Sequence, residues 1–197
     1  MKAAVSERIA ASLMVKGVIC SEDKDLYVYG LRQGAQILLN IFTTIATGLV
    51  FGMLWQSLVF MLAYIPLRTY AGGYHAKTQL RCYLSSTAAM IGVLLLVKLV
   101  LWTMPVCLTV AAVAGVIIFF LAPVEDSNKP LDQAEVVIYK KRARYILTLL
   151  FVLIFLCWSL EQLQISVCIT MAVALLAVML ILGKMKNEFW KKNVGKN

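Results

Sequence analysis

Residues Gly34 to Leu67 read GAQILLNIFTTIATGLVFGMLWQSLVFMLAYIPL, thirty-four positions without a charge. A helix crossing the hydrocarbon core of a bilayer takes roughly 20 apolar residues, about 17–25. The run is too long for one span and short for two. It predicts two short helices over 35–51 and 53–67 that reverse between Gly48 and Gly52, since local thinning of the bilayer tolerates short spans. Outward from it, apolar runs predict further spans at 83–103, 106–122, 145–160 and 163–183. Tight turns at Met104-Pro105 and Ser159-Leu160-Glu161 join two pairs of them, and polar segments 68–81 and 123–144 join the rest. With 61% hydrophobic and 15% charged residues, the composition is far from that of a soluble domain. The expected fold class is an all-α integral membrane protein of about six transmembrane helices, some short, forming a single embedded domain.

Residues 1–33 form an amphipathic N-terminal region. Within it, 1–19 read as a surface helix with Val5, Ile9, Leu13 and Ile19 on one side and Lys2, Arg8 and Lys16 as cations. Ser21-Glu22-Asp23 then opens a second helix that runs through Tyr29 toward the bilayer. The early charges leave no uninterrupted apolar stretch for a cleaved signal peptide.

Lysine and arginine number five in 1–36, three in 68–81, five in 123–144 and five in the basic tail 184–197. With six spans these 18 of 19 cations fall on one side, which the positive-inside rule makes cytoplasmic. Both termini and both polar loops are therefore expected in the cytoplasm. Lys98 is the exception, placed to snorkel on the opposite side. The net charge of +9 fits membrane lipids of anionic type. Nucleic acid is not an expected partner, because the cations are dispersed over four segments with no basic module to hold them.

The chemistry-bearing stretch is Arg68-Thr69-Tyr70-Ala71-Gly72-Gly73-Tyr74-His75, followed by Cys82. It contains the sole histidine of the chain. A thiol becomes a nucleophile as its thiolate, which a neighbouring imidazole or a helix N-terminus favours. Cys82 falls where the span 83–103 begins, near first-turn N–H groups that stabilise negative charge or receive a developing oxyanion. On a continuous helix, residues seven apart are separated by about 10.5 Å of rise, too far for a base to reach its proton. The stretch 68–82 is therefore expected to be a loop or broken helix, and Gly72-Gly73 supplies the backbone freedom for it.

Two readings stand for the pair: a catalytic dyad, or inert packing beside an interfacial anchor. Gln79, Thr78, Ser85 and Ser86 are nearby candidates for an orienting group. Arg68 suits a substrate carboxylate or a lipid headgroup. In the first span, Gln36, Asn40, Thr43, Thr44 and Thr47 form a stripe, read either as interhelical hydrogen bonding or as the lining of a wet cavity. In the second loop, Glu125, Asp126 and Asp132 with Lys129, Lys140, Lys141, Arg142 and Arg144 read as a substrate-binding surface or as a solvated loop. The five cysteines (Cys20, Cys82, Cys107, Cys157, Cys168) are an odd number, mostly in apolar runs, so no disulfide framework is expected. With one histidine and no acid within 68–103, neither a metal nor a cofactor is expected.

The run Arg68…Ala71-Gly72-Gly73-Tyr74-His75…Cys82 resembles the signature of the AgrB family of accessory gene regulator proteins. So does Ala122-Pro123-Val124-Glu125-Asp126-Ser127-Asn128-Lys129-Pro130-Leu131. Together these cover some 25 residues of the chain. The resemblance implies a membrane-embedded cysteine endopeptidase (a thiol protease) of the cell membrane, processing an autoinducing peptide for quorum sensing. It would carry His75 as base and Cys82 as nucleophile, remove the C-terminal part of a small AgrD-like precursor, and work as a homodimer. Arg68, Gly72, Gly73, Gln79, Asn40, Thr44, Glu125 and Lys129 are the candidate substrate contacts. The competing class is a small membrane peptide exporter or scaffold, for which the polar stripe is the motive.

Overall fold

Every regular element among the described residues is a helix, because an apolar chain in lipid must satisfy its backbone N–H and C=O groups within each segment. The computed structural model describes residues 5–74, 78–125 and 132–194, apart from the side chains of Gln79 and 190–194. In chain order the elements are α1 (Val5–Val15), a 3-10 turn (Ser21–Asp23), α2 (Lys24–Val50), α3 (Leu54–Ala71), α4 (Gln79–Leu99), α5 (Met104–Leu121), α6 (Gln133–Ser159) and α7 (Leu163–Val194). Five stretches are long and apolar enough to cross a membrane: Ser21–Val50, Leu80–Leu99, Met104–Leu121, Gln133–Ser159 and Leu163–Phe189. The protein is thus an all-α integral membrane protein. α3, 18 residues or about 27 Å long, is as long as α5 but is not among these stretches, because Gln56, Ser57, Pro66 and Arg68 dilute its apolar content.

The reversal expected between Gly48 and Gly52 is present, with α2 ending at Val50 and α3 opening at Leu54. Several boundaries differ from the sequence expectation: α3 runs on to Ala71 and α4 begins at Gln79, both inside the segment 68–81, and α5 begins at Met104, so the turn lies at 100–103 rather than at Met104-Pro105. The second N-terminal helix and the first span are one continuous helix, α2. Gly30 and Gly34 do not interrupt it, since a mid-helix glycine costs only about 1 kcal/mol. α6 begins at Gln133, inside the segment 123–144 expected as a loop. Asp132 starts it, its N–H donating to Glu135 Oε2 at 3.2 Å as in a capping box. α7 continues past Gly183 to Val194 through the segment expected as a basic tail, whose lysines, Met185 and Glu188 are good helix formers.

The chain divides into two compact units, Met1–Thr43 and Thr44–Asn197. In the first, Ala10 is fully buried and Ile19 and Val28 nearly so, with Leu13 and Met14 packed against them. Val5 and Ile9, expected to share the face of Leu13, are exposed. Ile19 lies beyond α1 and reaches its cluster by a turn. Arg32 ties α1 to α2, donating to Glu7 Oε1 at 2.7 Å and to Ser6 Oγ at 3.1 Å.

In the second unit α7 is the axis, touching α3, α4, α5 and α6. Ser166, Thr170, Ala172, Val173, Leu176 and Leu180 have no exposed surface, so the first half of this helix is enclosed nearly all round. Leu67 and Ala71 of α3, Ile118 of α5 and Leu147 and Ile154 of α6 complete the core. The ends of α3 and α5 and the starts of α4 and α6 gather at one end of this bundle. The tight turns occupy the other.

One of those turns carries strain. Glu161 sits at φ 59°, a left-handed conformation that costs a side-chain-bearing residue about 1–2 kcal/mol. Glu161→Gly is expected to raise unfolding stability by up to about 1 kcal/mol, net of the larger chain entropy of glycine, in denaturant titrations of the detergent-solubilised protein. A loss of stability would show that the Glu161 side chain makes a compensating contact.

Candidate functional site

α3 stops where the glycine pair begins. Gly72 caps it, donating its N–H to Arg68 O at 3.1 Å, and Gly72 and Gly73 take φ of 71° and 124°. Those are values that glycine adopts without strain. The chain then leaves the helix with its backbone groups unpaired, and buried groups of this kind require partners.

Three neighbours supply them. Val124, beyond the end of α5, donates its N–H to Ala71 O at 2.9 Å and accepts from Gly73 N at 3.3 Å, forming a parallel bridge with Gly72. Met179 of α7 accepts the Tyr74 N–H on its carbonyl at 2.9 Å. Arg68, one turn back on α3, donates through Nη1 to Gly72 O and through Nη2 to Tyr74 O at 2.6 Å. Its planar fork spans both acceptors, as a lysine ammonium does not. Two of its three guanidinium nitrogens are therefore engaged with this loop.

α4 resumes at Gln79. Thr78 is its N-cap, its hydroxyl accepting the Arg81 N–H at 3.3 Å. Cys82 lies in the fourth helical position rather than just ahead of the helix. Its N–H makes the first helical bond, to Thr78 O at 3.0 Å, and its carbonyl accepts from Ser85 Oγ at 2.9 Å. Helical side chains lean toward the N-terminus, so the half-buried thiol overlies the first turn and its free N–H groups. Tyr64, stacked on Phe60 at 5.3 Å, lies within electrostatic reach of both Arg68 and Cys82. Sequence reading did not single it out, although it stands one helical turn before Arg68.

The structure brings Arg68, Gly72 and Gly73 together and sets Glu125 beside them. The Glu125 carbonyl accepts from Asn187 Nδ2 at 2.8 Å, and its side chain is exposed. His75, Lys129 and the side chain of Gln79 lie outside the described residues. Asn40 and Thr44 are half-buried on α2, one in each unit. Of the second-loop cations, Arg142 donates to Tyr70 Oη at 3.2 Å and Arg144 lies 3.8 Å above the Phe119 ring while donating to its carbonyl at 3.3 Å. These two arginines brace helix ends rather than forming a solvated loop. Sequence reading also missed Met179, Gly183 and Asn187. A glycine followed four residues later by a carboxamide in a mostly apolar and basic stretch of helix was the available signal.

Comparison with known proteins finds sequence relatives. The family model described as Accessory gene regulator B matches residues 6–180. An AgrB-like protein of Clostridium perfringens (strain SM101 / Type A) is 28% identical over 135 residues, 64% of this chain and 61% of the relative. AgrB-like protein 2 of Clostridium perfringens (strain 13 / Type A) is 26% identical over 137 residues, again 64% and 61%. The chain thus spans about 61% of the length of the curated relatives it matches. No solved structure matches.

The arginine clamp makes a direct prediction. Hydrogen bonds to a charged donor contribute about 1.5–3 kcal/mol, so Arg68→Lys should speed amide exchange at Gly73 and Tyr74 by roughly tenfold to a hundredfold. Exchange at wild-type rates would mean that the contacts of Val124 and Met179 hold the loop unaided.

Proposed function

Because the chain belongs to the accessory gene regulator B family, we propose that it is a membrane-embedded cysteine endopeptidase that processes a small AgrD-like precursor peptide. The observation that carries the reading is the break between α3 and α4. A straight helix would hold residues 75 and 82 two turns apart. Here the helix ends at Ala71, the backbone is braced at 72–74, and the next helix presents a half-buried thiol over its own N-terminal turn.

In this reading His75 takes the proton from Cys82 Sγ, and the thiolate attacks the carbonyl that becomes the new C-terminus. The C–N bond breaks, the C-terminal fragment leaves as an amine that receives the proton from His75, and a thioester joins the remaining peptide to Cys82. First-turn N–H groups of α4 stabilise the oxyanion. A nucleophilic side chain of the same peptide then displaces Cys82, whose sulfur regains its proton, and closes a ring. With a peptide thiol the step exchanges one thioester for another. Holding that thiol near raises its effective concentration over water, and water exclusion at the site protects the intermediate.

Charge bias supports a cytoplasmic position for both termini and the catalytic loop, where an amphipathic precursor and anionic lipids meet the enzyme. Glu125 and Lys129 would contact the peptide from the second loop, with Gln79 and Thr44 as further contacts and a second copy of the chain as partner. Two nitrogens of Arg68 serve the loop, leaving its third for substrate.

Co-expression with the precursor should give cleavage that Cys82→Ala lowers by a thousandfold or more, on the order seen for catalytic nucleophiles. His75→Ala should lower it by about 10²–10⁴, with membrane levels of both variants unchanged. Export of a precursor of unaltered mass, with Cys82→Ala fully competent, would instead make the protein a transporter. Mass spectrometry separates the outcomes.

A further inference from the structure

Met179, Gly183, Lys186 and Asn187 follow the spacing i, i+4, i+7, i+8 and share one face of α7. That face meets both connections at the loop end of the bundle. The Met179 carbonyl holds the Tyr74 N–H at 2.9 Å, Lys186 Nζ stands 5.5 Å from the centre of the Tyr74 ring, and Asn187 holds the Glu125 carbonyl at 2.8 Å. A helical carbonyl already accepts from the N–H four residues on, and the side chain at that later position leans back over it. A second donor reaches the Met179 carbonyl only if position 183 carries no side chain. Gly183 meets this condition: a Cβ there would lie 2.8 Å from both Gly73 C and Tyr74 N, closer than real Cβ atoms come. Helix physics favours alanine over glycine at such an interior position by about 1 kcal/mol. The glycine is explained by the loop it admits.

We propose that the last helix is the positioning element of the active site. Gly183 sets the backbone at 72–74, the stretch that immediately precedes His75 in sequence, and Asn187 sets it at 124–125. The inference rests on the peptidase reading above. Neither side chain touches the reacting atoms, so both are positioning residues.

The test uses the full chain in lipid nanodiscs with a synthetic precursor peptide, read as kcat and KM, and as the pH profile of Cys82 alkylation by iodoacetamide in a Cys20→Ser, Cys157→Ser background. Gly183→Val should lower kcat at least tenfold with KM within twofold, and move the alkylation profile toward that of His75→Ala. Asn187→Asp, which keeps the shape but loses the donor, should do so more weakly, and Asn187→Gln should recover part of the loss. Gly92→Ala, on α4 with nothing within 4 Å of the added Cβ, is the control and should match wild type. Should Gly183→Val not fold, the Asn187 pair decides. Wild-type kcat and profile in Gly183→Val and Asn187→Asp would overturn the inference. A lower kcat with an unshifted profile would overturn it as well, since that marks only a smaller folded fraction. If Cys82→Ala is inactive while the α7 variants behave as wild type, positioning alone fails. If Cys82→Ala still cleaves, the peptidase reading fails and takes positioning with it.

Discussion

The arrangement depends on one requirement: polypeptide that leaves a helix among apolar neighbours must find new partners for its backbone polar groups. After Ala71 the chain gives up helical bonding, and residues 72–74 find partners in Val124, in Met179 and in the guanidinium of Arg68. None of these partners is local in the sense of a turn residue completing its own turn, apart from Arg68. The loop is held in place only because the ends of α3 and α5 converge on α7.

That convergence explains the anatomy of the second unit. α7 is largely enclosed by its neighbours between Ser166 and Ala177, which anchors the more exposed stretch just beyond, where the loop docks. A loop docked on it shares its rigidity. The end of α3 is fastened on its other side through Tyr70, which meets the Tyr139 ring edge-on at 5.7 Å and accepts from Arg142. Arg144 fastens α6 to the end of α5 in the same way. Residues with the charge of a substrate surface thus serve partly as struts. The half-buried Arg144 stacks its planar head on the Phe119 ring at 3.8 Å, where a partly desolvated cation–π contact is worth more than in water.

For the proposed peptidase, the consequence is that Cys82 and the chain leading toward His75 start from different kinds of backbone. Cys82 belongs to a capped helix start, whose geometry is set by Thr78 and by ordinary helical bonds. The polypeptide leading to His75 belongs to a braced loop, whose geometry is set by other helices. Reaction geometry between such groups is sensitive to displacements of about an ångström. A site of this design is therefore exposed to changes in helices remote in sequence.

Much of the fold was legible in the residues. The uncharged run 34–67, the reversal at Gly48 to Gly52, the apolar lengths of the later helices and the break at Gly72-Gly73 all follow from hydrophobic length and from glycine. These are local properties, and local rules read them. The glycine-histidine-cysteine signature likewise pointed to the family. What the residues did not disclose was the continuation of helix through 133–144 and 184–194, where polar composition looks the same in a loop as on a helix surface. Nor did they disclose that Arg68 spends two nitrogens on its own loop, or that Gly183 and Asn187 sit against residues more than sixty positions distant in the chain. The sequence by itself determined the class of protein and the residues able to do chemistry, because apolar length and side-chain reactivity belong to each residue. Only the tertiary structure decided what holds the loop before His75, because a backbone N–H carries no mark in the sequence of the carbonyl it will meet.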